Sequence, residues 1–252
     1  MTADVTSALI ARLTAMADDE LLLGHRDSEW TGHGPLLEED IALANLAQDE
    51  IGHAVLWYGA RSQLDGADPD ALAFARPAED FLSCAFVEQP RGDWAFTLLR
   101  QFLFDTYEAE VLARLERSPH APLAEAAAKA RREELFHLRH TGMWVRRLGL
   151  GTEESRRRSL DALQVLWPLY HGLVAALPGD GVLVEAGVLP DWETLRGATF
   201  DRARTALVAA ELDPGRDPDP TAAERDVVRE QRRELLATLQ EVARQDPEAA
   251  AW

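Results

Sequence analysis

The sequence predicts an all-α protein, a four-helix bundle with additional helices at its C-terminal end. Apolar residues recur every three or four positions along its long segments, the period of a helix with one buried face. Clusters of glycine, proline and serine separate those segments, and no strand-like alternation of any length interrupts them. With 252 residues the chain is long enough to bury a sizeable core.

The first predicted helix runs from about Val5 to Arg26, with Leu9, Leu13, Met16, Glu20 and Leu23 at helical spacing. Ser28–Pro35, rich in glycine and polar residues, ends it. The second runs from about Leu37 to Leu64, and the loop Asp65–Asp70 closes this hairpin. After a connection through Phe74 to Pro90, a third helix spans about Asp93 to Arg117, with Phe96, Leu99, Phe102, Phe104 and Val111 on its apolar face. Ser118-Pro119-His120-Ala121-Pro122 is a compact turn. The fourth helix then extends to about Leu148, where Gly149-Leu150-Gly151 stops it. Helical patterns continue over about Glu153–Leu177, Asp191–Leu212 and Ala222–Gln245, separated by Pro178–Gly181 and Asp213–Pro220.

Composition narrows the function. A formal charge of −18 argues against nucleic acid and anionic membrane as partners and fits docking onto a more basic protein. No apolar run approaches the roughly 18 residues of a membrane span, and Met1-Thr2-Ala3-Asp4 lacks the basic start of a signal peptide. The single cysteine, Cys84, excludes an internal disulfide, reads as a small core residue and fits a cytoplasmic location.

Two segments carry the chemistry. Glu50-Ile51-Gly52-His53 and Glu134-Leu135-Phe136-His137 are both Glu-x-x-His on long predicted helices, 84 residues apart. Residues at i and i+3 lie roughly 60° apart around a helix, so carboxylate and imidazole leave on one face. Each has a further glutamate upstream, Glu20 thirty residues before Glu50 and Glu108 twenty-six before Glu134. In an antiparallel hairpin, residues equidistant from the turn face each other. Glu20 and Glu50 are centred on Pro35, and Glu108 and Glu134 on Ala121, each in a predicted turn. Four carboxylates and two imidazoles at one level are the ligand set of a carboxylate-bridged di-iron four-helix bundle. Their burial costs several kcal/mol each unless a cation compensates them. Iron is the expected metal and manganese the next, because the donors are hard to borderline.

Alternatives within the set remain open. Asp105, one turn before Glu108, can replace it, and Glu110 or Glu133 can do so with a rotated helix. Asp49 and His140 are read as outer groups, and Tyr107 as core packing.

The stretch Glu29-Trp30-Thr31-Gly32-His33-Gly34-Pro35, with Glu38-Glu39-Asp40-Ile41-Ala42-Leu43-Ala44-Asn45, closely resembles the C subunit of the phenylacetyl-coenzyme A epoxidase family. So do Val87–Ala95, Arg100-Gln101-Phe102 with Asp105, Ala130, His137-Leu138-Arg139, and Trp144 with Arg147-Leu148-Gly149. The resemblance covers about residues 10–170 well and the rest loosely. It implies one ferritin-like domain over residues 1–252, with a core bundle at about 5–149 and a C-terminal helical extension at about 153–246. It implies a place in a bacterial monooxygenase of phenylacetate catabolism, whose catalytic A subunit holds the di-iron centre and pairs with the C subunit. A reductase subunit supplies electrons from NADPH, and the product is a ring 1,2-epoxide. The chain is expected to form a hetero-oligomer with the catalytic A subunit, or a homodimer in isolation. In this family the C subunit is a structural partner that has lost several metal ligands. Here carboxylate or histidine stands at all six positions: Glu20, Glu50, His53, Glu108, Glu134 and His137. Three readings stay open: a less degenerate C subunit that keeps a di-iron or di-manganese site, a stand-alone di-iron oxidase or oxygenase, and a purely structural, metal-free subunit whose six residues form a hydrogen-bonded polar core. Asp213–Pro220 also departs from the family, replacing a segment that contains glycine and histidine. Coenzyme A recognition calls for a basic patch, and the candidates, Arg131-Arg132 and Arg156-Arg157-Arg158, read as solvated helix faces.

Overall fold

The computed structural model describes residues 2–219, 225 and 227–246. Every regular element among these residues is helical. The chain forms two compact units, and each contains one of the predicted hairpins.

The first unit is built on α1 (Ala3–Ser28) and α2 (Leu37–Asp65), which pack along their length. The Thr2 hydroxyl caps α1 by accepting from the Val5 N–H, and Gly66, at φ 74°, ends α2 in the left-handed conformation that suits glycine. The helices approach closely at Gly24, where a Cβ would lie 2.9 Å from the Ala47 carbonyl oxygen and 3.0 Å from Glu50 Cβ. The missing side chain at Gly24 lets α2 close in at the level of Glu50.

Two short helices follow, α3 (Pro69–Phe74) and α4 (Ala85–Glu88). A buried polar network fastens their segment to the hairpin. Asp18 accepts from the Tyr58 hydroxyl, the Arg76 guanidinium and, at 2.6 Å, the Leu82 N–H. Asp19 accepts from the Cys84 N–H at 2.8 Å and pairs with Arg225 at 2.8 Å. The chain returns to this unit at its far end, as α10 (Glu230–Leu239) and α11 (Glu241–Gln245). Arg232 donates to the Glu88 carboxylate at 2.7 Å and to the carbonyls of Phe81, Ser83 and Arg225 at 2.8–2.9 Å. Gln240 donates to the carbonyls of Ala73 and Arg76.

Cys84 is sealed within this network. Burial, reinforced by the negative charge of Asp19, pushes its thiol pKa up to about 12. The thiolate is therefore scarce at ordinary pH, and Cys84 is expected to resist iodoacetamide at pH 8 while folded and to react once the chain is unfolded in urea. Mass spectrometry checks this, and stoichiometric alkylation of the native protein within minutes would contradict it.

The second unit holds α5 (Trp94–Leu115) and α6 (Ala121–Gly149), followed by α7 (Glu153–Leu169), α8 (Asp180–Glu185) and α9 (Trp192–Ala209). Asp93 caps α5 through the Phe96 N–H at 2.9 Å, and Thr152 with Ser155 forms a capping box on α7. Trp94 and Trp144 meet edge to face, with ring centroids 5.4 Å apart, over Leu98 and Leu148. Trp167, Tyr170 and Phe200 form a second aromatic cluster. Gly149 lies against the end of α9, where a Cβ would sit 2.0 Å from the Ala210 carbonyl oxygen. The glycine read as a helix stop therefore also makes room for a neighbouring helix.

Three element ends differ from expectation. The helix expected to reach Leu177 stops at Leu169, one residue past Pro168, and gives way to a 3-10 turn over Tyr170–Gly172. The helix expected to reach Leu212 ends at Ala209, because Glu211 adopts φ 59° and the Leu212 N–H bonds back to the Leu207 carbonyl at 2.9 Å. The last predicted helix begins at Glu230; Ala222 lies outside the described residues.

Candidate metal centre

The first hairpin brings Glu20, Glu50 and His53 together. Each is at most 1 % exposed. His53 Nδ1 lies 3.8 Å from Glu20 Oε2 and 3.8 Å from Glu50 Oε2, and the three residues offer ligand atoms all within 4.8 Å of one another. Glu20 comes from the middle of α1, while Glu50 and His53 share one face of α2, as their spacing requires. The Trp57 indole N–H, one turn beyond His53, points at Glu20 Oε1 at 3.4 Å.

The second hairpin repeats the plan. Glu50 and Glu134 each lie thirteen residues beyond the first residue of their helix, Leu37 and Ala121. Glu108, Glu134 and His137 are all buried, and His137 Nδ1 lies 2.8 Å from Glu134 Oε1. Asp105 is fully buried and offers an oxygen within 4.8 Å of a His137 ring nitrogen. Gln101 Nε2 donates to Asp105 Oδ1 at 2.7 Å, and the Thr141 hydroxyl donates to Oδ2. The same hydroxyl lies 2.9 Å from the His137 carbonyl oxygen.

Among the other groups weighed on sequence, Glu110 is engaged elsewhere, accepting from Arg114 at 2.7 Å and Arg202 at 2.6 Å. These two guanidiniums hold its carboxyl below the usual range against the opposing effect of burial. Tyr107 is core, edge-on to Phe104. Four of the five basic candidates are paired: Arg131 with Glu116, Arg156 with Glu211, Arg157 with Glu154 and Asp161, and Arg158 with Glu154 and Asp93; the fifth, Arg132, is exposed. A cavity of about 170 Å³ lined by Ala109, Ala113, Leu138, Arg131 and Arg202 reaches Glu134.

Sequence reasoning passed over Trp57, Gln101 and Thr141. Their signal was helical spacing: Trp57 and Thr141 each follow a site histidine by four residues, and Gln101 precedes Asp105 by four. In isolation that spacing does not separate an orienting group from ordinary core.

The donor chemistry fits a metal. Carboxylate oxygen and imidazole nitrogen suit iron, manganese and zinc. Two carboxylates on a buried helix pair repel each other unless a cation or protons compensate them. The fold and the site thus define a class: an all-helical protein whose two hairpins each carry a buried carboxylate–imidazole set. Within that class, the chain belongs to the phenylacetic acid catabolic protein family, which matches it over residues 1–252. It is 38% identical over 191 residues to the C subunit of 1,2-phenylacetyl-CoA epoxidase from Escherichia coli (strain K12), spanning 75% of this chain and 77% of that protein. It is 26% identical over 159 residues to the A subunit of the same enzyme, spanning 63% of this chain and 51% of that protein. No helix among the described residues is long and apolar enough to cross a membrane.

Proposed function

We propose that this chain is the C-type subunit of a multicomponent phenylacetyl-CoA 1,2-epoxidase, acting in phenylacetate degradation, and that it retains a di-metal carboxylate site of its own. The observation that carries the reading is the twin buried Glu-x-x-His, within a family match that spans the chain. Glu20, Glu50 and His53 would hold one ion, and Glu108, Glu134 and His137 the other, with both units forming a single ferritin-like domain. Iron is the favoured metal and manganese the alternative. A reduced iron pair supplies the capacity to bind and activate dioxygen. The residues of this chain supply the rest: they set the ligand directions, exclude bulk water and fix Glu20 through Trp57. The cavity that reaches Glu134 is a route for a small molecule to that level.

The partner is a catalytic, A-type subunit. The greater identity of this chain to the C subunit than to the A subunit supports a docking role. Leu37, Ile41, Ile51 and Val55 are exposed on α2 at helical spacing, with Ala44 and Gln48 between them. A Cβ at Gly52, within this stripe, would meet nothing within 4 Å. We assign this stripe to the partner, because exposed apolar side chains beside a bare glycine let a second helix come close. Co-expressed with an A-type relative, the chain is expected to co-elute with it in size-exclusion chromatography. Ile41→Asp with Val55→Asp is expected to weaken that association at least tenfold without changing the helical circular dichroism. Separate elution of the unaltered pair would overturn the docking role. Turnover of phenylacetyl-CoA by this chain and a reductase alone would replace it with a stand-alone oxygenase.

A further inference from the structure

We infer that the outer face of α6 is a docking strip for an acidic amphipathic helix of a partner protein. It stands on residues other than those of the metal centre and of the α2 stripe, and is independent of both.

From Lys129 to Leu150, the C-cap of α6, every third or fourth residue alternates between two exposed rows. One row is apolar: Phe136, Met143 and Leu150, seven residues apart and 74%, 54% and 40% exposed. The other is cationic: Arg132, Arg139 and Arg146, also seven residues apart and all exposed. Lys129 begins the apolar row with a further cation. At the rise of a helix the strip is about 31 Å long. No carboxylate stands in either row; Glu125, four residues before Lys129, is where acidic character resumes.

The strip runs against the charge of the chain, which has 44 acidic and 26 basic residues. Exposed arginines elsewhere, Arg157, Arg158 and Arg233 among them, pair with carboxylates of this chain. Among the described residues, no carboxylate pairs with Arg132, Arg139 or Arg146. Exposed apolar side chains in register with unneutralised guanidiniums mark an interface whose partner supplies both apolar groups and carboxylates. The chain as a whole favours a basic partner, and this face reverses that preference locally.

The spacing selects a helix as the occupant. Seven residues of α6 advance about 10.5 Å, so a second helix laid along it meets each apolar residue with the same face. An extended segment covers that distance in about three residues, an odd number, and its successive contacts would face opposite ways. A second copy of this chain is disfavoured, because pairing α6 with its twin sets one arginine row beside another. The charge of −18 opposes an anionic membrane.

The test is fluorescence anisotropy of the full-length chain with a labelled synthetic helix of about four heptads, carrying leucine and glutamate in alternating rows at seven-residue spacing. Saturable binding is expected, weakened at least tenfold when salt shortens the Debye length from about 10 Å to about 3 Å. Arg139→Glu with Arg146→Glu, and separately Phe136→Ser with Met143→Ser, should each weaken it at least tenfold with circular dichroism unchanged. Ile41→Asp with Val55→Asp should leave it within a factor of about two. A peptide of the same composition in scrambled order should bind at least tenfold more weakly. No binding, equal binding of the scrambled peptide, or indifference to either α6 double variant would overturn the inference. So would cosedimentation with phosphatidylserine vesicles that Arg139→Glu with Arg146→Glu abolishes, or a homodimer in sedimentation equilibrium that Met143→Glu dissociates. None of these outcomes bears on metal content or on the α2 contact.

Discussion

Arg232→Met is expected to destabilise the protein by about 3–5 kcal/mol, the cost of removing one partner from a buried ion pair. Arg232 and Glu88 are both fully buried, and Nε donates to Oε1 at 2.7 Å. The remaining guanidinium N–H groups serve carbonyls of Phe81, Ser83 and Arg225. One side chain thus fastens α10 to the 78–88 segment. Methionine fills much of the volume but leaves a buried carboxylate and several carbonyls without these donors. Burial already raises the Glu88 pKa and Arg232 opposes that rise, so the variant's Glu88 should hold its proton to higher pH. A group whose folded pKa is raised stabilises the fold below its unfolded pKa and loses that contribution as pH rises through the folded value. Arg232→Met should therefore be least damaging at acidic pH and most damaging once Glu88 would ionise. The double variant Arg232→Met with Glu88→Leu should recover only part of the loss, because the carbonyls stay without their donor. Arg157→Ala, which breaks fully exposed pairs with Glu154 and Asp161, should leave urea unfolding unchanged. A midpoint for Arg232→Met equal to that of Arg157→Ala would refute the clamp.

That clamp shows where the sequence stopped being legible. Long helices with one apolar face and ordinary caps declare themselves locally, so α1, α2, α5 and α6 could be placed within a few residues. Helices of four to six residues, such as α3, α4 and α8, make too few turns for a period to register. Arg232 meets Glu88 across 144 residues, and no local pattern distinguishes it from the arginines that remain in solvent. Asp18, Asp19 and Glu20 make the same point. In sequence they are one acidic run, which ordinarily means a solvated face. In the fold all three are buried: Asp18 on Tyr58 and Arg76, Asp19 on Cys84 and Arg225, and Glu20 beside His53. The Glu-x-x-His pairs were legible because i, i+3 spacing is itself a geometric statement. Which carboxylate of α5 joins them was not, since Asp105 and Glu108 differ by one turn and share a face. The hydrogen bonds from Gln101 and Thr141 to Asp105 appear only in three dimensions.

Glu20→Gln is expected to leave the metal-free protein at least as stable as the unaltered one, and to abolish most of the stabilisation that metal confers. In the metal-free chain Glu20 and Glu50 are both buried, with ligand atoms within 4.8 Å of each other. At an effective dielectric constant of about 20, two carboxylate charges at that distance repel by roughly 3 kcal/mol. Glutamine removes one charge while its amide oxygen still accepts from Trp57, so the hydrogen bond survives and the repulsion does not. With a divalent ion the sign reverses, because the second carboxylate becomes part of the grip. A site held at about 100 times its Kd adds about 2.7 kcal/mol to folding, which is roughly 5–10 °C in Tm for a chain of this size. That increment should appear on adding Mn²⁺ or anaerobic Fe²⁺, vanish with a chelator, and be largely absent in Glu20→Gln. It should also shrink between pH 7 and pH 5, because carboxylate and imidazole must shed protons to bind. A hydrogen-bonded polar core without metal makes the opposite forecast on each count. There the Tm would ignore metal and chelator alike, and Glu20→Gln would cost stability in every buffer. Stability measured with and without metal therefore separates a centre that this chain has kept from a set of residues retained only to pack.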